Sequence, residues 1–204
     1  MKTKKNLVIG FLAVIATVLF YTLKNDTPAG YIEQIEKDRK EKNHFMKNND
    51  ASPFSDSSAA FASLRFFPID GKYRINANLS PVENKKIVVL PTSDGKEQQY
   101  SEYAYAAFSL DGVDCKLLIL EVIEMGPNRG MLFLAFGDET SAVETYGAGR
   151  YLDVKKVPGS SAITLDFNLA YNPYCAYNDT YSCPLPPKQN LLPVAIRAGE
   201  KLYH

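Results

Sequence analysis

From Phe61 onward, the hydrophobic positions come in short runs, many of them alternating with polar positions, and turn-forming residues separate the runs. Alternation with a period of two is typical of strands with one buried face, and pairs such as Asp94-Gly95 favour tight hairpins. Because no long helical pattern separates the runs, the strands are expected to pair antiparallel. The sequence predicts a mainly β fold, an antiparallel β-barrel or β-sandwich of about nine short strands. These strands are expected within FASLRFFPID, GKYRINANLS, KKIVVLPTSD, GKEQQYSEYAYAAFSL, DCKLLILEVIEM, RGMLFLAFGD, VETYGAGRYLDV, SAITLDFNLAYN and LLPVAIRAGE.

The N-terminal segment carries a membrane-directed pattern. Residues Leu7 to Leu23 are uncharged and mostly apolar, with lysines on both sides. A helix needs about 17 to 25 such residues to cross a bilayer, so the segment predicts a transmembrane anchor. The excess of positive charge before it predicts a cytoplasmic N-terminus, with the rest of the chain in the periplasm or another extracytoplasmic space of a bacterial inner membrane. Cleavage near Ala29 and secretion is the alternative.

Between the anchor and the strands, the chain carries a helical pattern of modest quality. Apolar residues recur on roughly one face among mixed charges, at Ile32, Ile35, Phe45 and Met46. This spacing predicts a short amphipathic helix, which is either a solvated stalk or docked on the β domain. The expected organisation is an anchor and joint in residues 1–30, the helix in 31–50 and a single β domain in 51–204.

Composition excludes several classes of function. Lysine plus arginine and aspartate plus glutamate both number 23, so the formal net charge is zero, and no basic stripe marks a nucleic-acid binder. The two histidines are His44, in the predicted helix, and His204. The β domain therefore lacks the imidazole for a Ser-His-Asp site or a histidine zinc site. Because phosphate-binding and dinucleotide motifs are also missing, no metal and no cofactor are expected.

Three cysteines need an interpretation, and an exported domain would place them in oxidising surroundings. Cys175 and Cys183 supply only half of a tetrahedral metal site, and no histidine lies near them. A disulfide between them is therefore expected, with free thiols as the alternative. Cys115 lies in a strand-like apolar run and is interpreted as a buried thiol.

Arg150 is the first candidate for binding a ligand. If the segment around it is a strand, alternation places Glu144 and Arg150 on one face and Gly147 and Gly149 on the other. The glycines indicate a bend, or close approach by another backbone or a ligand. A guanidinium at this place can hold a carboxylate or phosphate with two hydrogen bonds. An internal ion pair with Glu144 or a neighbouring strand is the alternative.

Further polar candidates follow in the last third of the chain. Asp166 and Asn168 alternate with apolar residues, so they face either a polar lumen or solvent. Arg197 and Glu200 could join a charged network with Arg150, Glu144 or Asp153, or form a salt bridge that fixes the last strand. The candidates for ligand binding are Arg150, Asn168, Tyr171, Asn172 and Arg197, and the candidate catalytic carboxylates are Glu144, Asp153, Asp166 and Glu200.

Two stretches, ETYGAGRYLD and DFNLAYNPYCAYNDTYSCPLPPKQNLLPVAIRAGEK, resemble motifs of the bacterial domain of unknown function 1684 family. The resemblance extends over roughly residues 35–201. It implies a self-contained module that is often exported or membrane-anchored, and it implies no activity or cofactor. The chain departs from the expected pattern near Ala142, where the family would show a glycine.

Three functional hypotheses follow. The first is a membrane-tethered binding module whose pocket, in the C-terminal third, holds a small polar or anionic ligand. The second is a hydrolase that uses two of the candidate carboxylates as acid and base, which need environments that separate their pKa values. The third is a structural or interaction protein of the cell envelope.

Overall fold

The computed structural model describes residues 27–55, 61–156 and 159–203. The predicted anchor, Leu7 to Leu23, lies outside the described residues. The chain divides into two units, Met1–Lys42 and Asn43–His204. In the part that is described, no helix is both long enough and apolar enough to cross a membrane.

The helix expected over residues 31–50 is present as α1, Pro28–Asn48. Near its C-terminal end, Met46 is buried in a cluster with Leu64 and Tyr177. In the same region Asn43 Oδ1 accepts a hydrogen bond from Leu64 N–H at 2.9 Å. The end of α1 from Asn43 to Asn48 therefore packs on the β domain.

The strands of the second unit are all paired antiparallel, which confirms the prediction of a mainly β fold. The described strands are β1 (Arg74–Pro81), β2 (Ile87–Pro91), β3 (Glu97–Leu110), β4 (Val113–Val122), β5 (Leu132–Phe133), β6 (Ala135–Phe136), β7 (Arg150–Tyr151) and β8 (Ala162–Asp166). The main sheet has the order β5-β4-β3-β1-β8, with β2 also paired to β3, while β6 and β7 form a separate pair. Among the described strands β5 and β8 do not pair, so the main sheet is open and does not close into a barrel.

The long strand β3 organises the sheet. On one side it pairs with both β1 and β2, since Pro81 lies opposite Ala104 and Ile87 lies opposite Ser101. On its other side it pairs with β4 through a hairpin whose two turn residues, Asp111 and Gly112, have φ values of 50° and 80°. Two successive positive φ values are typical of the type I′ turn that fits the twist of paired strands.

Both faces of the main sheet are covered near β4. Leu117 and Ile119 belong to the main core, whereas Leu118 and Leu120 belong to a smaller cluster on the other face. The main core also contains residues of β6, of the segment after β7 and of the C-terminal segment, including Phe136, Leu152, Val194 and Ile196. The main core thus lies between the sheet and a second layer that is mostly irregular chain.

Several of the expected strands are shorter than predicted or missing. The segment around residues 61–70 contributes one isolated bridge, between Phe66 and Glu200, and the segment 191–200 forms no strand. The segment 143–154 contributes the two residues of β7, and RGMLFLAFGD is divided into two strands of two residues each, β5 and β6. The contacts of Arg150 bear on the absence of a strand over residues 196–200.

Candidate functional site

The guanidinium of Arg150 lies in a sealed network, because its side chain is 1% exposed. Nη2 donates to Asp138 Oδ2 and to the backbone carbonyl of Ile196, both at 2.8 Å. Nη1 donates to the carbonyls of Ala198 and Glu200. Burial lowers the pKa of Arg150, and the Asp138 carboxylate opposes that effect. Of the two alternatives, the structure places Arg150 in an internal ion pair, with Asp138 as the partner instead of Glu144.

This network explains why residues 196–200 do not form a strand. Arg150 binds the carbonyls of every second residue, Ile196, Ala198 and Glu200, which is the set that a neighbouring strand would use. Asp138 Oδ1 in turn accepts Ile196 N–H at 3.3 Å. An ion pair therefore replaces a backbone ladder and satisfies carbonyls that could not remain unpaired when buried.

The side chain of Asn190 likewise takes the place of a strand partner, at the edge of β4. Its Oδ1 accepts Leu118 N–H at 2.7 Å, and its Nδ2 donates to the carbonyls of Leu118 and Ala135 at 2.9 and 2.8 Å. A side-chain amide has the donor and acceptor of a peptide group, so one residue can imitate a strand partner. The side chain of Asn190 thus links β4 to β6.

Asp138 opens the turn that follows β6. Its Oδ1 accepts Thr140 N–H at 2.8 Å, and Ser141 Oγ accepts Asp138 N–H at 3.1 Å, so both side chains bond amides of the turn. Ala142 has a φ of 65°, in the left-handed region that glycine occupies without strain. That conformation explains why a glycine was expected there.

A groove of about 430 Å³ lies between this turn and the proline-containing segment that precedes Asn190. Small-molecule sites have volumes of about 300 to 1,000 Å³, so a small ligand would fit. Its lining is mainly glycine and apolar, with three polar residues, and comprises Gly137, Asp138, Glu139, Ser141, Gly147, Ala148, Gly149, Leu185, Pro186, Leu191 and Leu192. Glu139 and Leu191 are exposed, while the Asp138 carboxylate is held by Arg150.

The walls of the groove are held close together at Gly149, which has a φ of 86°. A Cβ at this position would lie 2.6 Å from the carbonyl oxygen of Phe136 and 2.5 Å from Pro186 Cγ. Of the two roles that the sequence left open for the glycines, Gly149 fulfils the close approach of another backbone. Gly147 also lines the groove, where a Cβ would meet Ala142 Cβ at 3.2 Å.

The predicted site residues lie elsewhere, and two of them, Asn172 and Glu200, share a second buried cluster. Glu200 is fully buried and accepts hydrogen bonds from Tyr177 Oη and from Asn172 Nδ2, the latter at 3.0 Å. Asn172 Nδ2 also donates to the carbonyl of Lys201 at 2.9 Å. Burial, with the Glu200 carboxylate adding to it, raises the pKa of Tyr177. This cluster ties the loop after β8 to the C-terminal segment.

Asn168 and Asp166 have local structural contacts. Asn168 is fully buried, and its side-chain amide exchanges two hydrogen bonds with the backbone of Asp70, at 2.8 and 3.1 Å. Asp166 Oδ1 accepts Asn168 N–H at 3.1 Å, which caps the short 3-10 helix Phe167–Leu169. Both residues thus fix the chain where β8 ends.

The remaining candidates form pairs nearer the surface. Arg197 Nε donates to Glu144 Oε1 at 2.8 Å, with the two side chains 59% and 34% exposed. Tyr171 Oη donates to the exposed Asp153 Oδ1 at 2.8 Å, and burial raises the pKa of Tyr171. None of the nine candidate site residues lines the groove described above.

A second groove, of about 310 Å³, lies at the start of β3 and the loop after β4. Its lining includes Gln98, Tyr100, Glu124 and Phe133, and again none of the candidate site residues. The sequence analysis selected candidate residues by their polarity. Most of the residues that line the first groove are glycine or apolar, and none of the lining residues was therefore among the candidates. The sequence signal for this groove was the proline-rich stretch PLPP, whose Pro186 packs against Gly149 in the structure.

The two cysteines predicted to pair are neighbours in the structure, which holds them as thiols, so the disulfide stays a prediction. Cys175 N–H donates to Cys183 Sγ at 3.3 Å, and Tyr146 Oη donates to Cys175 Sγ at 3.8 Å. Hydrogen bonding by Cys183, more than any other contact, lowers the pKa of Cys175 to about 6. The same hydrogen bond, together with burial, raises the pKa of Cys183. Cys115 is buried as predicted, and burial raises its pKa.

Comparisons with known proteins agree with the resemblance noted in the sequence. The model of the family described as "Protein of unknown function (DUF1684)" matches residues 59–201. The chain is similar to an uncharacterised protein from gene locus rrnAC0354 of Haloarcula marismortui, whose structure was solved by solution NMR. The two are 34% identical, with a TM-score of 0.65, and the match covers 88% of this chain and 100% of that one. No curated protein matches the chain.

Proposed function

Because the chain belongs to the DUF1684 family, whose function is unknown, we propose its function from geometry alone: a binding module that holds a small ligand in the groove beside Gly149. The observation that supports this proposal is the groove itself, about 430 Å³ in volume and built from residues 137–192. Ligand sites are typically concave and mostly apolar, with a few polar groups that orient the ligand.

The lining favours one class of ligand. No lysine, arginine or histidine is among the lining residues, and the exposed polar side chain is the carboxylate of Glu139. The Arg150 guanidinium is engaged by internal partners, and Arg197 does not line the groove. We therefore propose a ligand with an apolar body and a positively charged or hydrogen-bond-donating group, in place of the anionic ligand predicted from the sequence.

Two contacts would keep the groove in shape before a ligand enters. The Asp138–Arg150 ion pair fixes the turn on one side, and the packing of Gly149 against Phe136 and Pro186 fixes the other. A preformed site loses less conformational entropy on binding than a mobile one. The four candidate carboxylates of the hydrolase hypothesis do not share this groove, so binding without turnover is the better-supported function.

The test compares three probes of similar shape: benzylamine, benzyl alcohol and phenylacetate. In NMR titrations of the full chain, benzylamine is expected to shift the amide signals of Gly147 and Leu191, and phenylacetate to bind much more weakly. Glu139→Gln should remove the preference for benzylamine over benzyl alcohol. Stronger binding of phenylacetate would reject the proposed ligand class, and shifts confined to other regions would reject the groove.

A matched pair of variants separates the groove from the general surface. Leu191 and Val89 are both exposed apolar residues, and only Leu191 lines the groove. Leu191→Lys is expected to abolish the shifts caused by benzylamine, since it places a cation beside Glu139. Val89→Lys should leave them unchanged. Equal effects of the two variants would contradict the proposal.

We further propose that the module is tethered to the outer face of the bacterial inner membrane by residues 1–30. The support is the basic-apolar-basic sequence there. Half-buried Cys175 offers a reporter. In intact cells whose outer membrane has been permeabilised, a reductant and a maleimide that both cannot cross the inner membrane are added in turn, and Cys175 should be labelled. Labelling that requires lysis would place the domain in the cytoplasm, and recovery in the soluble fraction would favour cleavage.

A further inference from the structure

The surroundings of Cys175 and Cys183 differ in a way that matters for chemistry. Cys175 is half-buried and has Tyr146 Oη, 3.8 Å from its sulfur, as a hydrogen-bond donor. Cys183 is buried, 8% exposed, beside the Cys175 backbone. Cys175 is therefore the more exposed residue of the pair.

The protonation states follow the same division. With its pKa lowered to about 6, chiefly by the hydrogen bond from Cys183, Cys175 is mostly a thiolate at neutral pH. Cys183 keeps its proton, because donating to that thiolate and being buried both raise its pKa. The thiolate is the nucleophilic form of cysteine, and its surroundings determine which cysteines react.

The loop between the two cysteines is held in place without a covalent bond. Ser93 N–H donates to the carbonyl of Cys183 at 2.8 Å, and Cys183 N–H donates to Ser93 Oγ at 3.1 Å. Inside the loop, Tyr177 Oη bonds to Glu200, and Asn178 Nδ2 donates to the carbonyl of Pro53 at 3.0 Å. A disulfide here could form and break while the loop stays anchored.

From these observations we propose that Cys175 and Cys183 form a redox-active dithiol that exchanges with small-molecule disulfides of the glutathione type. Cys175 is the attacking cysteine and Cys183 the resolving cysteine. This inference does not depend on the groove. A fixed structural disulfide would need neither an activated thiolate nor a loop that other hydrogen bonds already hold in place.

The reaction proceeds in two displacements. The Cys175 thiolate attacks one sulfur of the disulfide RSSR, forming a mixed disulfide and releasing one RS⁻. Cys183 then loses its proton and attacks Cys175 Sγ, which forms the intramolecular disulfide and releases the second RS⁻. The two thiolates take up protons to give two RSH, so the protein dithiol is oxidised by two electrons and RSSR is reduced by two.

Glutathione disulfide is the probe for the first test, with the products identified by mass spectrometry. The reduced protein should form the intramolecular disulfide, while Cys183→Ser should stop at a stable glutathione adduct on Cys175. Cys115→Ser is the matched control and should behave as the wild type. A wild-type protein that stays reduced, or an adduct that forms equally well in Cys175→Ser, would overturn the proposal. A disulfide that persists in a large excess of reduced glutathione would also overturn it, since it would be a structural bond.

Alkylation by iodoacetamide across pH provides a second test. In Cys115→Ser, which keeps both Cys183 and Tyr146, alkylation of Cys175, assigned by peptide mapping, should reach half its maximal rate below the ordinary thiol value of about 8.5. Tyr146→Phe in that background should move the midpoint upward, while Tyr181→Phe should not. A midpoint at or above about 8.5 before the tyrosine is changed would contradict an activated Cys175.

Discussion

Arg150→Met is the sharpest test of the sealed network. Methionine fills much of the same space but leaves the Asp138 carboxylate buried without its partner and three backbone carbonyls without their donor. Removing one member of a buried ion pair costs about 3–5 kcal/mol. Since domains are stable by only about 5–15 kcal/mol, this variant should lose a large part of its stability.

Arg197→Met is the control, because Arg197 and Glu144 form an ion pair with the same 2.8 Å distance but in an exposed position. Exposed pairs contribute about 0–1 kcal/mol. Urea unfolding of both variants measures the contrast. With a slope of about 1–3 kcal/mol/M, Arg150→Met should lower the midpoint by roughly 1–5 M, and Arg197→Met much less.

A second substitution shows whether the cost comes from the unpaired charge. Asp138→Asn removes that charge but keeps an oxygen that can accept Thr140 N–H. Adding it to Arg150→Met should therefore cost less than adding it to the wild type, a coupling that a double-mutant cycle measures. Costs that simply add, or an Arg150→Met midpoint close to that of Arg197→Met, would refute the reasoning from burial.

Two further predictions follow from the backbone and from proton linkage. Gly149→Ala should destabilise the fold more than Gly112→Ala, because both positions have positive φ but only at Gly149 would the new Cβ collide with its surroundings; equal melting temperatures would contradict the close approach. In the reduced protein, the lowered pKa of Cys175 contributes stability that is complete above the unfolded pKa and is lost as pH falls through about 6. The stability difference between wild type and Cys175→Ser should therefore grow from about pH 6 to about pH 9, and a flat difference in urea unfolding would contradict the linkage.

The central strands could be predicted from the sequence because their partners are other strands. Along β3 and β4, alternate residues are buried in different clusters. The two-residue period of the side chains can therefore be recognised in the amino-acid sequence. The turn at Asp111 and Gly112 also follows from residue type, since this pair tolerates positive φ. The residue types within each of these elements were sufficient to predict it.

The C-terminal segment could not be predicted in the same way. Residues 191–200 alternate like a strand, and their side chains do alternate between buried and exposed through Leu192, Val194 and Ile196. What the alternation cannot show is that Arg150 takes the place of a strand partner. The pattern of apolar residues predicts which side chains are buried. Whether the segment forms a strand depends on which groups hydrogen-bond to its backbone.

The candidate site illustrates the same limit for polar residues. A polar residue in a motif can serve a ligand or the fold, and Arg150, Asn168 and Glu200 all have internal partners. Burial decides between these roles, and burial of a given side chain depends on distant parts of the chain.

The dependence of Arg150 on the last carbonyls has a consequence for how the protein is made. During synthesis, Arg150 emerges 46 to 50 residues before the backbone groups that it binds. Until those residues arrive, closing the core would bury a charged pair with part of its donors unpaired, which is costly. Closing the core is therefore unfavourable for a nascent chain that lacks this segment. Such a delay would keep the polypeptide unfolded until synthesis of the domain is finished.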